Sequence, residues 1–398
     1  MIQRRLDRRE LLRTAGVALG AGLVPGCATK SGSAAKPATP PAIAPKTAIA
    51  AVSDVATPRR HFAKVNVSRD RIIRTVVGLR PFRPSGFVVR TEKLGEKVVV
   101  HNYGHGGGGI TLSWGTSHLA MEQALATGQT KFAVVGSGGV GLATARLLQK
   151  HGGDVTIYAR DVPPNTTSNI AGAQWSPYSV FDENKKTPEF AAQFERASRL
   201  SNRYFQDLVG DYYGVRWIEN YACLYKKPKD WQSPTSEDPL HDLFFYAKDL
   251  EPAEHPFPAP YVRRFVTMLV EPLVYLNAIT RDFLLAGGKI VIREFKDRDA
   301  VLALSEPAIV NCTGLGAKAL FGDQELIPIK GQLTILLPQP EIDYIVLTET
   351  DLYMFPRHDG ILLGGTHERG QWSLEPDQQA MERVLAGHIK FFEGMKTV

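Results

Sequence analysis

Lys131-Phe-Ala-Val-Val135 leads directly into Gly136-Ser-Gly138-Gly139-Val-Gly141, and Leu142 to Lys150 follows with helical composition. A short apolar, β-rich run bounded by glycines reads as a buried strand, and the G-x-G-x-x-G spacing then falls between strand and helix, where its mechanism requires it. Gly136 permits the tight turn, Gly138 lets a pyrophosphate approach the backbone, and Gly141 lets helix and strand pack closely. Gly139 stands at the start of the helix, whose N-terminus faces the phosphates. Asp154-Val-Thr-Ile-Tyr-Ala159 reads as a second strand, ending at Arg160-Asp161. Asp161 is placed to meet a ribose hydroxyl. The stretch predicts a dinucleotide-binding α/β fold, and by itself it does not separate FAD from NAD.

Upstream of this motif the chain changes character. Residues 1–50 hold eight Lys/Arg and two Asp/Glu, which accounts for the whole net charge of +6. The remainder is balanced, which argues against nucleic acid as a partner. Arg8-Arg9 before Leu11-Leu12, an apolar stretch from Ala15 to Val24 and then Gly26-Cys27 have the parts of an export signal, in a form that resembles a twin-arginine signal. Gly26-Cys27 also resembles a lipobox, which would make Cys27 a lipid anchor. Residues 1–26 are therefore expected to be an export signal read by the twin-arginine machinery, and residues 27–60 a linker rich in Ala, Pro, Ser, Lys and Thr. The expected location is the periplasm or the outer side of the cytoplasmic membrane. Cys27, Cys223 and Cys312 form no CxxC pair and imply neither a disulfide framework nor a zinc site. His101 and His105 have i,i+4 spacing, but the glycines beside them break the helix that metal binding would need, and no metal is expected.

Other segments carry a family resemblance. Thr166-Thr-Ser-Asn-Ile-Ala-Gly-Ala-Gln-Trp-Ser-Pro-Tyr178, Val310-Asn-Cys-Thr-Gly314, Gly331-Gln332, Tyr353-Met-Phe-Pro-Arg357 and Gly364-Gly-Thr366 follow one another as in the D-amino-acid oxidase family. Gly78-Leu-Arg-Pro-Phe-Arg-Pro84 and His101-Asn-Tyr-Gly-His-Gly-Gly-Gly-Gly-Ile-Thr-Leu-Ser-Trp-Gly115 resemble that family's most diagnostic stretches. In the usual family order these last two lie near the C-terminus, whereas here they precede the nucleotide motif. The chain is similar to a circular permutant of the family.

The resemblance implies FAD as cofactor. It implies oxidation of a D-amino acid by hydride transfer from Cα to the flavin N5, giving an imino acid that hydrolyses to a 2-oxo acid and ammonia while dioxygen becomes hydrogen peroxide. Arg80 matches the carboxylate clamp, a guanidinium fork suited to bidentate pairing. Tyr353 matches a tyrosine that meets the same carboxylate, and the backbone carbonyl of Gly107 matches the acceptor for the substrate amino group. Thr166 and Thr167 match threonines at the pyrophosphate, and Gly314 ends the strand under the adenine half. Gly106, Gly109, Ile110 and Thr111 open a helix expected over Ile110–Ala126, whose positive end would face the flavin pyrimidine ring. Ser176 stands where some relatives place an amide beside the substrate. Two other readings stay open: a related dehydrogenase with an acceptor other than dioxygen, and an inactive flavin-binding envelope protein.

The expected architecture is α/β, with an FAD-binding Rossmann-like part and a second, mainly antiparallel substrate-binding part, both within residues 61–398. The first is assigned to 101–180, 295–335 and 355–398 together with 65–100, and the second to 181–294 and 325–355. Gly288-Lys-Ile-Val-Ile-Arg293 supplies a strand signal for the antiparallel sheet. The permuted order further predicts that residues 390–398 lie beside residues 55–72.

Overall fold

The computed structural model describes residues 61–231 and 238–396; the expected export signal, linker and Cys27 lie outside them. In chain order the strands are β1 (Ile72–Phe82), β2 (Val88–Leu94), β3 (Lys97–Tyr103), β4 (Lys131–Val135), β5 (Asp154–Ala159), β6 (Val215–Leu224), β7 (Phe245–Leu250), β8 (Tyr261–Val270), β9 (Lys289–Ile292), β10 (Ala308–Asn311), β11 (Ile327–Leu336), β12 (Tyr344–Thr348), β13 (Tyr353–Arg357), β14 (Gly360–Gly364) and β15 (Glu368–Arg369). The helices are α1 (Ser113–Leu125), α2 (Gly139–Lys150), α3 (Pro188–Asp207), α4 (Pro272–Leu285), α5 (Arg298–Leu302), α6 (Ala317–Phe321) and α7 (Gln378–Glu393).

Two sheets organise the molecule. One has the order β2-β3-β10-β4-β5-β9 and is parallel except for its edge strand β2. Its central strands are sealed on both faces: Phe132, Ala133 and Val134 of β4 and Ile309 and Val310 of β10 have no exposed surface. Such strands read as continuous apolar runs because helices cover a parallel sheet on both sides. Here α2 buries Leu142, Ala143, Ala145, Leu147 and Leu148. The other sheet runs β1-β11-β14-β13-β12-β6-β8-β7, with β15 added on β11, and all its neighbours are antiparallel except β12 and β6. Burying a Leu or Phe from water contributes about 1.5–3 kcal/mol, so the continuous core shared by the sheets, from Phe132 and Leu148 to Phe265 and Leu362, is what holds them together.

Residues 61–126 are shared between the two sheets. β1 closes one edge of the antiparallel sheet, paired with β11 from Ile72↔Leu336 to Phe82↔Ile327. β2 and β3 complete the parallel sheet, β3 lying directly beside β10. Val65 shares an apolar cluster with Phe391 and Phe392 of α7. Tyr344 Oη donates to the carbonyl of Ala63 at 2.7 Å, and Lys64 Nζ lies 3.4 Å from the carbonyl of Glu393. Among the described residues the start and end of the chain are thus neighbours, as the sequence predicts.

Three expectations are corrected. β9 forms within the expected segment Gly288–Arg293, but it pairs parallel with β5 from Thr156↔Lys289 to Ala159↔Ile292, at the edge of the nucleotide sheet. Its apolar run specifies a strand without specifying a partner, and α4 before it supplies the crossover that parallel pairing needs. β1 and β14 belong to the antiparallel sheet rather than to the nucleotide layer, because each pairs with β11. The helix expected from Ile110 begins at Ser113; Gly106–Gly108 forms a 3-10 turn and Ile110–Leu112 continue as turn.

Candidate active site

The nucleotide loop is built by close approach. Gly136 follows β4 with φ +109°, and a Cβ there would lie 2.5 Å from the Cys312 carbonyl oxygen. A Cβ on Gly141 would lie 2.0 Å from the Gly136 carbonyl oxygen. No side chain fits either position, so β4, β10 and the start of α2 meet backbone to backbone. Gly138 caps α2 with extended backbone, and the N–H of Gly139 donates to Ser168 Oγ at 2.9 Å. The N-terminus of α2 therefore opens toward the turn Thr167–Ile170. Thr166 caps that turn, its hydroxyl donating to Asn169 Oδ1 at 2.8 Å, while Thr167 and Ser168 line the cleft beyond. Asp161 follows β5, and its carboxylate accepts from Arg160 Nε at 2.7 Å. Gly314 follows β10 with φ +57° and stands against Pro81. Cys312 lies beneath this loop, and burial pushes its thiol up to about 12, which leaves it protonated and unreactive at neutral pH.

The cleft lies where the two sheets meet. Gly106, Gly107, Gly109, Ile110 and Thr111 form one wall, from the turn that follows β3. Arg80 on β1 and Tyr353 and Phe355 on β13 come from the antiparallel sheet. A bridge between Phe82 and His105 ties the end of β1 to the glycine turn, and the N–H of Gly107 donates to the carbonyl of Ser179 at 2.9 Å. Arg80, Gly107 and Tyr353 thus converge on one cleft from distant parts of the sequence.

Two further glycines seat the polar groups. A Cβ on Gly331 would lie 2.4 Å from Arg80 Nη2, and one on Gly364 would lie 1.9 Å from Tyr353 Cζ. The guanidinium and the phenol each rest on bare backbone. Nη1 of Arg80 lies 3.5 Å from the carbonyl of Thr366, and no carboxylate pairs with Arg80 among the described residues. Thr111 braces the opposite wall. Its hydroxyl donates to the carbonyl of Gln174 at 3.3 Å and accepts from the N–H of Ser176 at 3.1 Å.

Electrostatics around the cleft are set by burial. His105 accepts or donates at Thr116 Oγ1, 2.8 Å away, and desolvation pushes it down to about 3. His388 of α7 sits behind Tyr353, with Nε2 3.2 Å from the Tyr353 carbonyl, and burial pushes it down to about 4. Both imidazoles are neutral at pH 7 and add no charge. Of the charged residue types, Arg80 and His367 line the cleft, and no carboxylate side chain does. Sequence reasoning missed His367, Phe355 and Gln174. The signal for Gln174 was its place two residues before Ser176, and both residues belong to the segment that lines the cleft.

The glycine cradle at the helix start, followed by a glycine-walled cleft, fits an extended dinucleotide with a planar ring system. The family described as FAD dependent oxidoreductase (DAO) matches residues 131–398. The chain belongs to this family. Its relatives include a D-amino-acid oxidase of Rubrobacter xylanophilus, 31% identical over 257 residues that cover 63% of this chain and 74% of the relative. A D-aspartate oxidase of Homo sapiens is 28% identical over 264 residues, covering 64% and 74%. A solved glycine oxidase from Geobacillus kaustophilus superposes with a TM-score of 0.51 at 16% identity, over 68% of this chain and 81% of that one, a likeness of fold. The cofactor of this flavoprotein is FAD, which supplies a hydride acceptor when bound. Residues 61–130 lie outside the family match, yet they carry Arg80 and the glycine wall of the cleft.

Proposed function

We propose that this protein oxidises D-amino acids to 2-oxo acids, with ammonia and hydrogen peroxide as the other products. The observation that carries the reading is Arg80: a guanidinium in the cleft, seated on Gly331 with no carboxylate partner among the described residues, beside Tyr353. A half-buried guanidinium without an anion favours one supplied by a ligand, and a planar fork pairs bidentately with a carboxylate. Arg80 and the Tyr353 hydroxyl would hold the carboxylate, and the Gly107 carbonyl would accept from the amino group. Cα would then be oriented toward the ring site against the glycine wall. Gly136, Gly138, Gly139 and Gly141 with Thr166 and Thr167 would hold the pyrophosphate, Asp161 a ribose and Gly314 the adenine side. The named relatives support an amino-acid substrate. The test is a panel of D- and L-amino acids with the FAD-loaded protein, following dioxygen uptake and peroxide release. Oxidation of D-isomers with stoichiometric peroxide is expected; turnover only with an artificial electron acceptor would instead make it a dehydrogenase.

We also propose that the chain is circularly permuted relative to its family, and that residues 1–26 direct its export through the twin-arginine route, with Cys27 as a lipid anchor. The adjacency of residues 63–65 and 391–395 supports the first proposal. Labelling with a radiolabelled fatty acid, abolished by Cys27→Ser, tests the anchor. Among the described residues no helix is long and apolar enough to cross a membrane.

A further inference from the structure

Gln174 is a buried polar residue in the wall of the cleft. Its carboxamide is oriented by a chain of bonds that begins at the backbone. The carbonyl of Ile218 can only accept, so the atom of Asn220 that lies 2.9 Å from it is the NH2 group. The oxygen of Asn220 therefore points the other way, and the atom of Gln174 at 2.6 Å from it is again an NH2. Asn220 has no exposed surface and sits within β6, so it has no room to turn over. The amide assignments that are ordinarily ambiguous are fixed here by an acceptor that has no alternative. What remains for the cleft is the carboxamide oxygen of Gln174, which has no donor among the described residues.

We infer that Gln174 is a specificity-determining residue, oriented by Asn220, that selects substrates whose side chain ends in an uncharged hydrogen-bond donor such as a carboxamide or hydroxyl. The inference rests on the reading that Arg80 holds the substrate carboxylate and Gly107 its amino group, which leaves Gln174 to meet the side chain. Three physical arguments select the class. An apolar side chain would displace water from the Gln174 oxygen and leave a buried acceptor unpaired. An acidic side chain would set oxygen against oxygen. A cationic side chain would find a dipole but no carboxylate, since none lines the cleft, and burying an uncompensated charge is costly.

The test uses the FAD-loaded protein and compares kcat/KM for D-asparagine, D-leucine and D-aspartate, which are close in size. D-Asparagine should exceed D-leucine by about tenfold or more, the discrimination expected when a site built to hydrogen-bond meets an analogue lacking the donor, and D-aspartate should be poorest. Gln174→Leu, checked for retained flavin absorbance, should bring the asparagine-to-leucine ratio to one or below. Asn220→Leu frees the Gln174 amide to turn and should narrow the gap between D-asparagine and D-aspartate. A ratio that is unchanged by Gln174→Leu, or near one in the unsubstituted protein, overturns the inference while leaving D-amino-acid oxidation standing. Absence of turnover with every amino acid, D-alanine included, overturns both.

Discussion

Residues 61–126 and residues 131–396 differ in how they reach the same cleft. The second region carries the nucleotide loop and most of both sheets, and it is the part that the family match covers. The first region has no sheet of its own: β1 is an edge of one sheet, β2 and β3 an edge of the other, and the turn at Gly106–Gly108 bridges them. Yet it brings Arg80, while the second brings Gly331 to seat it and Tyr353 to stand beside it. Order along the chain and order in space are therefore separate variables here, and the site depends on the second.

The largest effect should come from removing the first region altogether. Deleting residues 61–126 exposes one flank of β10 and the whole inner edge of β11, and it opens the apolar core around Leu112, Trp114 and Phe132. The expected outcome is an aggregating protein that holds no FAD, read by visible absorbance after purification. A soluble yellow product would mean that the second region is a domain in its own right.

Arg80→Ala asks what the first region contributes chemically. A charge-assisted bidentate pair with a substrate carboxylate is worth about 3 kcal/mol, so kcat/KM should fall by at least about a hundredfold while FAD stays bound. Near-normal kinetics would place the clamp elsewhere.

Each region buries two histidines, and acid tests the one in each that burial pushes down furthest. His105 is pushed down to about 3 and His388 to about 4, against an ordinary value of 6.5, in each case mainly by desolvation. The unfolded chain therefore binds more protons than the folded one below about pH 6.5. Stability from these groups is fully present above that pH and is lost as the pH falls toward 4. The loss is on the order of a few kcal/mol. Melting temperatures measured from pH 7 to pH 4 should decline, and His105→Gln and His388→Gln should each flatten the decline. An unchanged slope in both variants would assign the acid limb to other groups.

Gly331→Ala probes the seat rather than the clamp. The new methyl would meet the tip of the Arg80 side chain, which can swing aside, so the fold should persist with FAD bound. Displacing the guanidinium should raise KM by about tenfold, a misplacement effect smaller than outright loss. The smallest effect belongs to reordering. A chain running 131–396, then a short linker, then 61–126 keeps every contact but one covalent join, because residues 63–65 already touch residues 391–395. It should bind FAD with kcat/KM within about threefold of the original, as expected when chain ends are close. Failure to fold would show that the Thr127–Thr130 connection matters for more than continuity.

What could be read from the sequence was what local chemistry dictates. The strand, glycine turn and helix over residues 131–150 are specified by adjacent residues, and the structure places them as expected. α7 is also set locally, its N-cap Asp377 accepting from the N–H groups of Gln379 and Ala380. Gly331 and Gly364 were visible as glycines in a family pattern, but their physical reason, a guanidinium and a phenol lying across them, depends on two sheets meeting. β9 shows the same limit, since its four residues specify extended backbone and say nothing of which edge receives them. Gln174 was hidden for another reason: its role depends on an asparagine of β6 whose own orientation is set by one backbone carbonyl.

The pairing of β1 with β11 has a consequence for how the protein is made. Gly78 lies opposite Gly331, so β1, the first strand among the described residues, waits about 250 residues of synthesis for its partner. At synthesis rates of about 5–20 residues per second that is roughly 13–50 s. During that interval β2 and β3 can pair as a hairpin, whereas β1 has an unsatisfied ladder edge and Arg80 has no seat. The arginine proposed to define the substrate is thus among the first groups synthesised and among the last to become ordered. A ribosome stalled before residue 327 would hold a chain with much of its nucleotide sheet available and its substrate clamp still loose.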